Sequence, residues 1–385
     1  MIQRLAPQAP AAFSRRLDVA ASRNERALLD LILRHGCLGR AMLARETELT
    51  IQSVSRLIEG LEARGLVRRG DRISTRGNPS GGYGVELAPD GAFTLGVSLM
   101  TDALSIVLMN FRGEVLESRF EPREDMSAEA VLKAIQAAME ALIAAHVPDR
   151  SRMLGIGVAV TGYFLEGGRK LNPPEPLDDF ALVDLQSMFA GRLGLPVIVE
   201  NDASAAAVAE SFLGVGRDHG TFAYIHFAGG VGGAIVVEGR LMRGARGNAG
   251  EVAGILPLDL FETRPTLTLL LRLCREAGVE VSSISELVAR LDLDMPGVSL
   301  WREVVRAPLD AIVSALGAVA DPEVIVLGGR LPTALAEALI ADVRPFEIPR
   351  RGAPRPLPSL VPARVTGEPT ALGAAVLPLK AHFFG

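Results

Sequence analysis

Gln52 and Arg56 stand four residues apart, with Ser53 and Ser55 between them. A glutamine amide can bond both major-groove groups of adenine, and a guanidinium both acceptors of guanine. That chemistry needs the side chains on one face of a rod thin enough to enter the groove. The local pattern supplies such a rod. Val54, Leu57, Ile58 and Leu61 recur at helical spacing and form an apolar stripe. They leave Ile51, Gln52, Ser53, Ser55 and Arg56 on the opposite face, mostly in the first two turns. Thr50 is positioned to cap the helix, at the end that meets base edges in helix-turn-helix proteins. Arg68, Arg69, Arg72 and Arg76 follow closely and are candidates for phosphate or minor-groove contact.

The elements that must hold these residues follow from period and caps. Residues 24–34 place Leu28, Leu31 and Ile32 on one helical face, and Arg40 to Thr47 fits a second short helix. Glu48-Leu49-Thr50 turns into the third helix, which ends near Arg64 with Gly65 at the stop. Val67 to Ser74, with Gly70-Asp71 in its middle, reads as a short hairpin, the wing. The expectation is an α+β winged helix-turn-helix DNA-binding domain over 23–88, preceded by a flexible tail at 1–22. A small protein-interaction module with a solvated charged face is the alternative.

Charge is distributed in keeping with the first reading. Residues 23–77 hold eleven Arg, no Lys and seven acids, a net of +4, whereas the whole chain carries −5 and the remainder therefore −9. A basic module that meets phosphate and an acidic body that does not would give this asymmetry. Cys37 and Cys274 are the two cysteines, with no CxxC beside them, so neither a disulfide framework nor a Cys-rich zinc site is expected. No apolar run reaches the roughly 18 residues of a membrane span, and the first twenty residues lack a secretory apolar core. The expected location is cytoplasmic, with no membrane partner.

Beyond the joint at Gly77 to Gly84 the pattern changes. Phe93–Leu99 and Leu104–Met109 read as paired strands. A helix (127–146), a strand (154–160), a helix (182–193) and a strand (197–200) then alternate, as in an α/β sheet. Further strands fit 221–227, 233–237 and 324–327. Three segments carry a resemblance: VENDASAAAVAE (199–210), GGVGGAIVVEGRLMRGARGNAGEVAG (229–254) and DPEVIVLGGRLP (321–332). Together with the leading module they resemble the ROK family of repressors, open reading frames and kinases, in its regulator branch, from about residue 23 to the C-terminus. The resemblance implies an α/β, actin-like (ribonuclease H-like) two-lobed sugar-kinase fold, with lobe 1 at 92–220, lobe 2 at 221–385 and a C-terminal helix free to return to lobe 1. It also implies that Asp202 corresponds to the family's catalytic base, and Asn201 and Glu251 to sugar-hydroxyl ligands, tasks that suit groups able to accept hydrogen bonds. Thr161-Gly162 and Leu171-Asn172 resemble loops at the cleft edge.

The departures from that family pattern are informative. Ser98 stands where kinase members have the aspartate of a DxGxT-like turn, and Leu99 and Met100 replace its glycines. Asp102 is read as a turn residue, with a shifted acid as the alternative. Ala228-Gly229-Gly230 stands where a Gly-Thr-Gly phosphate loop is usual, so the glycines at 229–233 read as a tight strand connection. Gly254 replaces the histidine after the AGE motif, and Cys274 is alone where a Cys-rich segment belongs. No ATP and no zinc are therefore expected, and Asp202 is expected as a vestigial base that binds without catalysing.

The resulting expectation is a non-enzymatic transcriptional regulator, a repressor. It would bind a double-stranded DNA operator as a homodimer or homotetramer and sense a small carbohydrate at Asn201, Asp202 and Glu251. Two rivals stay open: an active sugar kinase with a DNA-binding module, and a regulator with no small ligand.

Overall fold

The computed structural model describes residues 20–73, 82–165, 170–347 and 349–385. Residues 1–19 of the expected tail, Ser74 of the expected wing and Arg76 lie outside the described residues. Residues 20–22 are anchored. Ala21 is buried and its N–H donates to His382 O at 2.7 Å. Ser22 caps α1 (Arg23–His35) in a reciprocal box: Ser22 N donates to Glu25 Oε2 at 2.7 Å, and Glu25 N donates to Ser22 Oγ. α2 is Arg40–Thr47. Glu48 then turns in the left-handed region (φ 56°), and Thr50 Oγ1 accepts from Ser53 N at 3.1 Å to start α3 (Ile51–Ala63). Leu28, Leu29 and Ile32 of α1 join Val54, Ile58 and Leu61 of α3 in one core.

The wing differs from the hairpin expected at 67–74. Val67–Arg72 is a single strand, β1, and pairs antiparallel with β2 (Tyr83–Leu87), Val67 opposite Leu87. Gly70 serves close approach instead of a turn, since a Cβ there would lie 2.5 Å from Cys37 Sγ.

The first large sheet contains β3 (Phe93–Leu99), β4 (Ala103–Asn110) and β5 (Val115–Pro122) as an antiparallel meander. After α4 (Ala128–His146) comes β6 (Met153–Val160), parallel to β3. A small ribbon, β7 (Tyr163–Leu165) with β8 (Lys170–Asn172), precedes α5 (Leu185–Leu193) and β9 (Val197–Asn201), parallel to β6. The order is β5-β4-β3-β6-β9. β3, β4 and β6 are buried along their length, which explains why their sequences are mostly apolar on both faces. α6 (Asp202–Leu213) follows.

The second sheet repeats the plan. β10 (Phe222–Phe227), β11 (Val231–Val237) and β12 (Arg240–Leu241) form the meander. Helices α7 (Leu258–Phe261), α8 (Leu267–Glu276), α9 (Ile284–Arg290) and α10 (Val298–Val319) come next. β13 (Val324–Gly329), α11 (Thr333–Asp342) and β14 (Ser359–Pro362) complete the order β12-β11-β10-β13-β14. The chain ends with α12 (Pro369–His382), which returns to pack on β3 and β6 of the first sheet and on α6. α6 in turn meets β10 and β11, so the two alanine-rich helices lie between the sheets. Their approach is close enough that a side chain at Gly373 would overlap the Ala205 carbonyl.

The far end of α12 is built into the N-terminal module. Phe383 and Phe384 are buried with Phe111 and Phe212, with ring centroids 5.1–5.4 Å apart. Burying each phenyl stabilises the joint by about 1.5–3 kcal/mol. Arg26 of α1 donates to the carbonyls of Lys380 and Ala381, both at 2.8 Å, and of Phe384, thereby satisfying the helix end. Arg152 adds a second tie, to Arg64 O at 2.8 Å and Gly91 O at 3.2 Å.

Candidate functional site

On α3, Ile51, Gln52 and Arg56 are exposed, while Ser53 and Ser55 are half-buried. Thr50 and Ser53 are engaged in the cap, their hydroxyls 2.8 Å apart. Gln52 and Arg56 are thus the longer polar side chains presented at this end. On the wing, Arg68 Nε donates to Glu86 Oε1 at 2.6 Å, and Arg112 takes the other carboxylate oxygen at 2.9 Å. The Arg68 guanidinium, with Arg112 behind it, holds the Glu86 carboxyl below the usual range. Arg69 and Arg72 instead stack over the half-exposed Tyr83 ring. The register shift between Arg69 and Arg72 brings both to that ring.

Between the two sheets lies a cleft of about 570 Å³, bordered by Thr161, Asn172, Asp202, His226, Arg330 and Glu368 among others. Asp202 opens α6 and is held by three donors. Its Oδ1 accepts from Ala203 N (2.8 Å) and Asn201 Nδ2 (3.0 Å), and its Oδ2 from Thr161 Oγ1 (2.7 Å). Asn201, beside Asp202, has its amide committed. Nδ2 also donates to Gly162 O at 2.8 Å, and Oδ1 caps α6 through Ser204 N at 3.1 Å. Glu251 lies near enough to Asp202 to feel its charge. Desolvation, and then the nearby Asp202 charge, push its carboxyl above the ordinary value.

His226 is a cleft residue that motif reading missed. It sits in β10, and its Nε2 is 3.9 Å from Asp202 Oδ2, while Nδ1 is sealed from solvent with no hydrogen-bond partner among the described residues. Burial pushes its pKa down, Arg330 adding to this and Asp202 opposing it. The signal available beforehand was a lone imidazole in the apolar strand FAYIHF.

At the other end of the cleft, Ser98 is buried with its hydroxyl unpartnered among the described residues. Asp102, in the β3–β4 turn, does more than make a turn. Its Oδ1 pairs with Arg330 Nη1 at 2.9 Å, and its Oδ2 accepts from Ser285 N (3.1 Å) and Oγ (2.7 Å). Arg330 Nη2 closes the triangle on Ser285 Oγ at 2.6 Å. This clasp ties the first sheet to α9 and to the end of β13. Arg243 with Glu200, and Asn248 with both backbone groups of Phe164 (2.7 and 2.8 Å), join the lobes elsewhere. The glycines at 229–230 lie in the short β10–β11 connection, with Gly229 O held by Thr268 Oγ1 at 2.8 Å. Cys274 is buried in the α8 core and Gly254 offers no donor side chain, so these positions do not fit a structural zinc. Among the described residues no three His, Cys, Asp or Glu side chains gather as a metal-binding group, and no helix is long and apolar enough to cross a membrane.

Comparison with known proteins places this geometry. The ROK family model matches residues 94–264. The chain is 30% identical over 367 residues to the uncharacterized protein y4fQ of Sinorhizobium fredii, covering 94% of this chain and 92% of that one. It is 24% identical to the xylose repressor of Bacillus spizizenii over 61% of this chain and 60% of the repressor. The glucokinase of Streptomyces coelicolor is 30% identical over 42% of this chain and 49% of its own. Among solved structures, a ROK family transcriptional regulator homologous to the E. coli MLC protein superposes with a TM-score of 0.68 at 22% identity, over 94% of this chain and 96% of that chain. The fold is therefore the actin-like, two-lobed α/β fold, preceded by a helical N-terminal module.

Proposed function

The chain belongs to the ROK family, and on that premise we propose that it is a DNA-binding transcriptional regulator, a repressor, that senses a small carbohydrate in the cleft and transfers no phosphate to it. The observation that carries this reading is a single helix with an end in each function. α12 begins at the cleft wall with Glu368, Pro369 and Thr370, and ends where Arg26 of the N-terminal module holds its last carbonyls. Its fourteen residues span about 21 Å at 1.5 Å per residue. A ligand that changes lobe closure around Asp202 therefore moves α12, and α1 moves with it. In a homodimer or homotetramer, small rotations of two such modules change their fit to paired half-sites. Emptying a nearly full operator takes about 5.5 kcal/mol of differential ligand affinity.

The DNA-facing set is Gln52 and Arg56 for base edges and Arg69 and Arg72 for phosphate, with Thr50, Ser53 and Ser55 completing the helix end. Arg68 has a reduced share because Glu86 neutralises it. In the cleft, Asp202 is the ligand carboxylate, Asn201 orients it, and Glu251 is close enough to sense its charge. Absence of phosphate transfer is supported by the clasp. Asp102 and Arg330 are occupied with each other, Ser98 offers no carboxylate, and the residues present do not fit a magnesium nucleotide. The second reading, an active sugar kinase, is favoured by Asp202 bordering the cleft and by the glucokinase relatives.

Selection of duplexes from a random pool tests the first half, and ADP release with D-xylose or D-glucose tests the second. The proposal expects an enriched duplex and no sugar-dependent ADP. Sugar-dependent ADP release abolished by Asp202→Asn would establish the kinase.

A further inference from the structure

We propose that His226 and Asp202 form a paired clamp for one neutral hydroxyl group of the ligand, with His226 Nε2–H as donor and Asp202 Oδ2 as acceptor. This deepens, and rests on, the carbohydrate reading of the cleft.

The geometry of the imidazole carries the inference. The two ring nitrogens differ in their surroundings. Nδ1 is sealed inside the protein without a partner, whereas Nε2 lies on the side of Asp202, in a residue that borders the cleft. A buried N–H with no acceptor is costlier than a buried lone pair, so the proton belongs on Nε2. Burial also disfavours the charged form of the ring. Nε2 is therefore a donor facing a carboxylate that is only an acceptor.

Their separation of 3.9 Å is too long for a direct hydrogen bond. It matches a gap bridged by one oxygen about 2.8 Å from each atom. A hydroxyl satisfies both at once: its oxygen accepts from Nε2–H and its proton goes to Oδ2. An ionised phosphate or carboxylate oxygen does not, since it has no proton to give and meets the Asp202 charge. The class selected at this point is a neutral polyhydroxylated molecule.

The backbone builds the ring's seat. His226 lies opposite Gly232 and Gly328 in the middle of the second sheet. Gly329, at φ +83°, leaves room behind it, since a Cβ there would come within 2.9 Å of Nδ1. Tyr224 Oη accepts from Gly329 N at 2.7 Å and fixes that turn. Thr161 pins Oδ2 from the opposite lobe. The clamp thus spans the two lobes, and an occupying hydroxyl would draw them together.

The test uses the full chain in calorimetric titrations with D-xylose, D-glucose and glucose 6-phosphate, for the wild type, His226→Ala and His226→Gln. Long-range proton–nitrogen NMR of the imidazole accompanies them. The clamp predicts that a neutral sugar binds, that His226→Ala weakens it about tenfold or more, and that His226→Gln, whose amide retains a donor, recovers part of the loss. It also predicts a neutral ring with the proton on Nε2. Binding by the wild type that His226→Ala and His226→Gln leave unchanged would overturn the clamp and spare the carbohydrate reading. Binding of neither sugar would overturn both. A proton on Nδ1, or a protonated ring at about pH 7, would overturn the clamp whatever the titrations show.

Discussion

The clasp between Asp102 and Arg330 is a direct measure of what holds the lobes together. Arg330 is 9% and Asp102 20% exposed, so the pair is largely withdrawn from solvent. Two unit charges about 4 Å apart attract by about 4 kcal/mol at an effective dielectric of about 20. Solvent at Asp102 and the desolvation of both groups reduce this, leaving an expected coupling of about 2 kcal/mol. The single substitutions should differ. Arg330→Ala leaves Asp102 with both Ser285 donors, whereas Asp102→Ala takes the paired carboxylate from a buried guanidinium and leaves it the Ser285 hydroxyl. Asp102→Ala is therefore the more costly change, by about 1 kcal/mol or more. A double-mutant cycle by urea denaturation measures the coupling, read through the single tryptophan, Trp301, which is fully buried in α10. Small-angle scattering of the same variants should show a more open molecule. A coupling within about 0.5 kcal/mol of zero, as for exposed pairs, would refute the argument that this contact closes the cleft.

The α12 joint, the wing and a buried carboxylate each give a further outcome. Arg26→Ala frees the last carbonyls of α12 and should weaken the joint by about 2–3 kcal/mol, seen as faster hydrogen exchange in α1 with α9 unchanged. Arg69→Ala and Arg72→Ala should each lower the slope of log affinity against log salt on DNA by about one, and Arg68→Ala by clearly less, because Glu86 already holds it. Glu210 is fully buried and accepts from Val215 N (2.9 Å) and Val365 N (2.7 Å), and burial raises its pKa. The raised folded value means its contribution is greatest below the unfolded pKa of about 4.5 and declines as pH rises through the folded value. Glu210→Gln lacks that titration, so the stability gap between wild type and variant should narrow over this window. A gap constant with pH would contradict the assignment.

Much of the local structure was legible because it is written in local chemistry. The second helix, Arg40–Thr47, and the strand Phe93–Leu99 coincide with their expected bounds. The Thr50 cap and the α3 stripe have the same origin. What escaped depends on distant partners. β5 has only exposed and half-buried positions at a sheet edge and no apolar run to announce it. The wing's second strand begins beside a glycine-rich stretch, and Gly70 looked like a turn because its contact with Cys37 is invisible in sequence. Asp102, Ser285 and Arg330 meet only when the two lobes close. His226 is hidden in a strand whose neighbours are all apolar. Motif matching selected Asn201 and Glu251 by type, and the sequence does not show that the Asn201 amide also caps α6 and orients Asp202.

The most direct test is fluorescence-anisotropy titration of a duplex enriched by this protein against its scrambled version, at fixed salt, for wild type and Arg56→Ala, with and without D-xylose or D-glucose. Arg56→Ala should cost the enriched duplex about 1–3 kcal/mol and the scramble far less, and a neutral sugar should shift only the enriched duplex. Equal affinity for both duplexes, or equal loss on both with Arg56→Ala, would contradict sequence-specific recognition by α3.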